Sequence, residues 1–154
     1  MKKLYYSIPI IIFLIITGGV SKEAVDLSFI KLCLKPPLAN ATSDKLQKEI
    51  EKWVHIANTQ MNLPKLVDNE TLMVNVTARR GGVAYHHKLI HYNIKDINLD
   101  KLKRIIRTNV KNNVCNSSDM RSALKLGMSF IFSYVDKDGN FLEETTIKQG
   151  DCSY

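Results

Sequence analysis

The fold is decided by the stretch Cys115–Cys152, which reads CNSSDMRSALKLGMSFIFSYVDKDGNFLEETTIKQGDC. Between Met128 and Val135, aromatic and apolar side chains alternate with a period of two, which is typical of a half-buried β-strand. The turn formers Asp136 to Asn140 follow, and Gly139 can take the positive φ that a short hairpin loop requires. Phe141 to Ile147 is then predicted to return as the second strand of a hairpin.

A helix and a disulfide are predicted to complete this unit. Ser117 or Ser118 is expected to cap a helix that Gly127 ends. A bond from Cys115 to Cys152 would join the start of the unit to its end, and export of the chain favours such a bond. Three alternatives stay open for Cys33: a buried free thiol, a bridge to a second chain, or a bond to one of the other two cysteines.

The N-terminus indicates export. Met1-Lys2-Lys3 followed by the apolar run Ile8 to Ile16 predicts a signal peptide over residues 1–20. An uncleaved anchor is the alternative, although the run is shorter than the ~20 residues that a bilayer needs. We expect residues 22–154 to form a single exported α+β domain with no stable membrane span after signal cleavage.

Two further helices are predicted upstream. The first begins at Ser43 and ends before Pro64, because apolar residues recur at spacings of three and four. Trp53 lies on its apolar stripe and is interpreted as a core anchor, with a ligand platform as the alternative. The second helix is capped by Asn98 and has an apolar stripe of Leu99, Leu102, Ile105, Ile106 and Val110.

A second hairpin is predicted between these helices. Leu72 to Arg79 alternates as a strand, Gly81-Gly82 supplies the turn, and Val83 to about Ile94 returns. The return strand changes its apolar face partway along, so we expect a bulge near His87 or Lys88.

Together these elements predict an α+β fold: an antiparallel sheet of about four strands in two hairpins, with helices packed on one face, in a cystatin-like or similar arrangement.

Scattered residues over Ser43 to Cys152 resemble a group of small exported bacterial proteins of unknown function. The likeness is carried by Leu63-Pro64, Val67-Asp68, Thr71, Val114-Cys115, Asp119-Met120-Arg121, Gly127, Tyr134, Asp136 to Gly139 and Asp151-Cys152. The resemblance implies a bacterial periplasmic or secreted location and supports the pairing of the two cysteines. It implies no catalytic residue.

Two stretches of the sequence have residues that could bind a metal ion. Asp136 to Asn140 resembles the opening of a calcium loop, but Phe141 and Ile147 stand where the turn glycine and the closing glutamate belong, so a hairpin turn is favoured. His86, His87 and His91, together with His55 elsewhere in the chain, are a possible metal cluster. His87 and His91 would lie roughly 13 Å apart on a strand, so surface histidines are favoured and no metal or cofactor is predicted.

The second predicted helix carries a basic outer face of Lys101, Lys103, Arg104, Arg107 and Lys111. The formal net charge of the chain is +7, which favours acidic partners. This face is the candidate contact for an acidic protein or an anionic envelope component; a solvated helix face is the simpler interpretation. Nucleic acid is not predicted, since no aromatic residue on this helix offers a stacking platform.

For function we expect a non-catalytic binding or interaction protein of the bacterial periplasm or secreted fraction. No spacing of serine, histidine and aspartate selects a catalytic triad, so no catalytic residue is predicted. A secreted hydrolase or effector enzyme is the alternative from another class. A periplasmic immunity or exclusion protein is the third.

Overall fold

The computed structural model describes residues 43–153. The helices are α1 (Ser43–Gln60), α2 (Leu99–Asn116) and α3 (Ser118–Lys125), and the strands are β1 (Lys65–Leu66), β2 (Thr71–Arg79), β3 (Gly82–Leu89), β4 (Ser129–Val135) and β5 (Phe141–Ile147). The predicted signal peptide and Cys33 lie outside the described residues. Within 43–153, the helices are too short or too polar to cross a membrane.

The strands form one mixed sheet in the order β1-β2-β3-β4-β5. The predicted α+β class is confirmed, with α1 packed on β2 and β3 and α2 packed on β5. The sheet has one strand more than expected, and its central pair is parallel where an entirely antiparallel sheet was expected. The two predicted hairpins are present, as β2–β3 and β4–β5.

The parallel pair follows from the connection between the hairpins. A chain that leaves β3 and returns as a parallel neighbour must cross over the sheet, and such a crossover usually contains a helix. Here α2 and α3 fill it. The residues of each strand predict the hairpins, but which strands of two hairpins pair with each other depends on where these helices pack.

The turn between β2 and β3 requires glycine at two positions. Gly81 has a φ of 69°, in the left-handed region that favours glycine. Gly82 pairs with Ser129 across the parallel ladder, and a Cβ at Gly82 would overlap the Ser129 side chain and backbone. Larger residues are therefore disfavoured at both positions, for different reasons.

The predicted bulge lies on the other strand of the pair. The register of β2 against β3 shifts between Met73 and Asn75, which pair with His87 and His86, so Val74 is the additional residue. The prediction of a bulge in β3 near His87 or Lys88 was therefore wrong about the strand. The bulge is in β2, directly across from His86 and His87. The strand itself ends at Leu89, and the chain then turns away instead of continuing to Ile94.

One core lies between the sheet and the helices. Its most deeply buried members are Ile50, Val76, Val83, Ile106, Val114, Leu124 and Leu142. The predicted caps are present, because the Asn98 side chain accepts a hydrogen bond from the backbone N–H of Lys101 at 3.0 Å, and Ser117 accepts one from Met120 at 3.3 Å. The buried residues of α1 and α2 belong to the apolar stripes of these helices, which face the sheet.

A side chain closes the outer edge of β2. β1 pairs only with Leu72 and Met73, which leaves the rest of that edge without a neighbouring strand. Asn58 of α1 fills the role at Val76: its Nδ2 donates to the Val76 carbonyl at 2.7 Å and its Oδ1 accepts from the Val76 N–H at 3.0 Å. The amide thus supplies the donor and the acceptor that a neighbouring strand would supply.

Cys115 and Cys152 form a disulfide with a Cα–Cα distance of 5.4 Å. Cys115 lies in the last turn of α2, and Cys152 follows β5. The bond therefore ties the end of α2 to the chain that leaves the sheet, across a separation of 37 residues.

Replacing both cysteines by alanine should lower the free energy of unfolding by about 2–5 kcal/mol, because the cross-link restricts the unfolded chain. Urea unfolding of the purified protein measures the difference. A non-reducing peptide map should recover the Cys115–Cys152 pair, and a map in which Cys33 is joined to either residue would contradict this arrangement.

Candidate interaction surface

Three of the predicted contact residues form a common exposed surface, which we call the basic ridge: Lys101, Arg104 and Lys111 of α2. They lie opposite the buried stripe of Leu102, Ile106, Val110 and Val114. Among residues 43–153, no ion pair joins the ridge to a carboxylate. Its charges are therefore directed to solvent from a helix held firmly on the sheet.

Arg107 and Lys103 are placed differently. Arg107 donates from Nε to Glu143 Oε1 at 2.9 Å and from Nη2 to Oε2 at 3.3 Å. The Glu143 side chain is only 5% exposed, whereas that of Arg107 is 60% exposed. The hydrogen bonds and the charge of Glu143 raise the pKa of Arg107. Arg107 thus serves first to neutralise a buried carboxylate, and Lys103 is half-buried beside the same flank of α2.

The histidines do not converge on one point. His91 and His55 are exposed, on the segment after β3 and on α1. His86 and His87 point to opposite faces of β3, as adjacent residues of a strand must. Within the part of the chain that the structure describes, no three metal-binding side chains come together.

His87 lies in a row of aromatic rings on the helix-covered face of the sheet. Its ring stacks on Tyr134 at 4.8 Å and on Phe132 at 6.2 Å between centroids. The row continues through Tyr85, which stacks on Phe132 at 5.2 Å and meets Trp53 edge-on at 6.3 Å. Trp53 is half-buried in this contact, in keeping with its interpretation as a core anchor. Sequence alternation could place each ring on a face, but not the stacking across strands.

Burial determines the charge state of His87. The residue is 6% exposed and its Nδ1 has no hydrogen-bond partner. Burial and the neighbouring His86 lower the pKa of His87 to about 4, despite backbone hydrogen bonds that favour the protonated form. His87 is therefore neutral near pH 7 and packs as an aromatic ring.

Two carboxylates near the start of β2 also bury polar atoms. Asp68 Oδ1 accepts from the backbone N–H groups of Glu70 and Thr71, both at 2.7 Å. The other oxygen of Asp68 and Oε2 of Glu70 are buried without a hydrogen-bond partner. Burial and a hydrogen bond with Glu70 raise the pKa of Tyr92 to about 12. This polar cluster could not be predicted, because no spacing in the sequence connects Asp68 and Glu70 with Tyr92.

Asp136 organises the β4–β5 turn through hydrogen bonds to both of its carboxylate oxygens. Its Oδ1 accepts from the N–H groups of Asp138 and Asn140, and its Oδ2 accepts from the Ile94 N–H and the Asn140 side chain, at 2.8–3.0 Å. Burial alone would raise the pKa of Asp136, but these hydrogen bonds outweigh it and lower the pKa to about 2. N–H donors thus occupy both oxygens, as the hairpin interpretation requires.

The opposite face of the sheet has a shallow depression of about 430 Å³. Within it, Thr77 Oγ1 and His86 Nε2 are 2.8 Å apart, the separation expected of a hydroxyl and a base. Among the described residues no carboxylate accepts a hydrogen bond from His86, so nothing orients the imidazole as in a hydrolytic triad. The pair does not by itself make a catalytic site.

No protein-family model matches this chain, and no curated protein is similar to it in sequence. Solved structures share its fold. A Pseudomonas aeruginosa protein that is predicted to be secreted superposes with a TM-score of 0.61 at 16% identity, over 74% of this chain and 100% of that one.

Two pilotins of type 2 secretion systems also superpose. EpsS from Vibrio vulnificus has a TM-score of 0.58 at 9% identity, over 73% of this chain and 96% of its own. AspS from Vibrio cholerae has a TM-score of 0.55 at 14% identity, over 71% and 94%. At these identities the likeness shows a common fold, one that occurs in secretion-system proteins.

Replacing Arg107 by alanine should lower the melting temperature by several degrees, because it leaves the buried Glu143 carboxylate without its cation. The matched control is Arg104→Ala, which removes an equal charge from the same helix at an exposed position and should leave the melting temperature almost unchanged. Thermal unfolding followed by circular dichroism measures both. Equal effects of the two substitutions would contradict the structural role of Arg107.

His87→Phe should remove part of the acid sensitivity of the fold. The ordinary pKa of 6.5 in the unfolded chain exceeds the value of about 4 in the folded one, so the unfolded chain binds more protons between these values. The contribution of His87 to stability is complete above the higher value and falls by about 3 kcal/mol as the pH drops to the lower.

Urea unfolding at a series of pH values tests this, with the exposed His55→Phe as the control. Only His87→Phe should flatten the decline. A decline as steep as that of the parent would show that His87 titrates normally.

Proposed function

We propose that this chain is a non-catalytic binding protein of the bacterial periplasm or secreted fraction. The observation that carries the proposal is the basic ridge, in which Lys101, Arg104 and Lys111 are exposed on a helix whose opposite side is committed to the core. The fold supports the class of protein, since it is shared with a predicted secreted protein and with two pilotins. The resemblance in sequence to small exported bacterial proteins agrees with the same location.

The partner we propose is acidic: a protein with a carboxylate-rich surface, or an anionic component of the envelope. Exposed cations attract such a surface over about 8–10 Å at physiological ionic strength, so they act mainly on encounter and orientation. Arg107 contributes less than the sequence suggested, because its guanidinium is shared with Glu143. The basic ridge thus contains three cations and not the five that the sequence predicted for this face.

Charge reversal at Lys101, Arg104 and Lys111, each to glutamate, tests the proposal. The immobilised protein is exposed to phosphatidylglycerol vesicles and, separately, to envelope proteins of the producing bacterium at low salt. The parent should retain vesicles or one acidic protein, and the ridge variant should retain at least tenfold less, because its attraction becomes repulsion.

The control is the triple reversal Lys45→Glu, Lys48→Glu and Lys52→Glu on α1, which changes the net charge by the same amount on exposed residues of another helix. It should retain the partner nearly as well as the parent. If both variants lose binding equally, only net charge matters; if neither loses it, the ridge is a solvated helix face. Either result would contradict the proposal.

A further inference from the structure

Among the described residues, the outer edge of β5 has unpaired backbone groups. β5 is the last strand of the sheet and pairs only with β4. Its register against β4 is irregular at Leu142, near the turn, and from Glu143 to Ile147 every second residue turns its N–H and C=O away from the sheet. Among residues 43–153 no hydrogen bond outside the β4–β5 ladder reaches the backbone of this strand. The strand contains no proline or lysine, two residues that commonly protect an edge.

The opposite edge of the sheet is protected. β1 pairs with Leu72 and Met73 of β2, and the Asn58 amide bonds the backbone N–H and C=O of Val76. Among residues 43–153, the β2 edge is therefore blocked in part, whereas the outer backbone groups of β5 have no partner.

The two sides of this edge differ in charge. On the helix-covered side, the carboxylate of Glu143 is already paired with Arg107. On the other side, Glu144 and Thr146 are exposed. Phe141, which is 60% exposed, stands at the start of the strand as an apolar contact.

We propose that the edge of β5 binds an extended segment of a partner protein, which adds a sixth strand to the sheet. The inference deepens the proposed binding role and rests on it. Main-chain hydrogen bonds to β5 supply the affinity, and the charge of Glu144 supplies the register. The segment carries a basic residue opposite Glu144.

A second copy of this chain fits the edge poorly. Antiparallel self-pairing about the middle of β5 would place Glu144 directly opposite Glu144 of the copy. Like charges directly opposite each other destabilise a strand pair. A segment in which lysine or arginine takes that position replaces the repulsion by attraction.

The probe is a synthetic nine-residue peptide of alternating threonine and valine whose central residue is lysine, and the control peptide has glutamate at that position. Each peptide is titrated into the ¹⁵N-labelled protein and followed by amide NMR. We expect the lysine peptide to shift β5 amides and slow the exchange of every second one, and to bind at least fivefold more tightly than the control. Glu144→Lys, an exposed substitution, should reverse this preference.

Shifts elsewhere on the molecule, equal binding of the two peptides, or an unchanged preference in Glu144→Lys would overturn the inference. Shifts at β5 that grow with protein concentration and without peptide would assign the edge to a second copy and also overturn it. The ridge variant separates the two proposals. If its envelope binding is lost while the parent shows no peptide binding at β5, only the edge proposal fails; if the peptide binds and no envelope component is retained, only the ridge fails.

Discussion

Parallel pairing of β3 with β4 is the constraint from which the rest of the layout follows. A tight turn cannot connect two parallel neighbouring strands, so the chain must leave the sheet, cross one of its faces and re-enter it as the next strand. The crossing supplies α2 and α3, and hence the cover for β5 and the buried residues of both helices. The disulfide then joins the end of α2 to the segment after β5, which fixes the crossover against the strand that it covers.

The interior of this small domain contains ionisable groups in two different arrangements. The buried carboxylate of Glu143 accepts two hydrogen bonds from Arg107, whose side chain is 60% exposed. His87 has no such companion and is accommodated as a neutral ring between two aromatic neighbours. In one case a partner brings the countercharge, and in the other the group gives up its proton.

Local pattern predicted most of the elements, and tertiary contacts decided the rest. The strand within Met128 to Val135 and the helix caps at Asn98 and Ser117 depend on residues close to one another in the chain, so they could be predicted from the sequence. The pairing of β3 with β4 and the placement of the bulge at Val74 depend on residues distant in sequence, so local pattern could not place them. Among the basic residues, helical spacing identified an outer face. Helical spacing could not show that Arg107 would pair with Glu143, because the two residues are 36 positions apart in the sequence.

The Asn58 amide has a consequence for stoichiometry. Edge-to-edge polymerisation requires two free edges on each molecule, so that every added copy offers a new site to the next. Among the described residues, the β2 edge is interrupted at Val76, whose backbone is already satisfied from within the molecule. A strand added at the edge of β5 would therefore meet no equally continuous second edge on the same molecule, which favours a closed complex over a fibre.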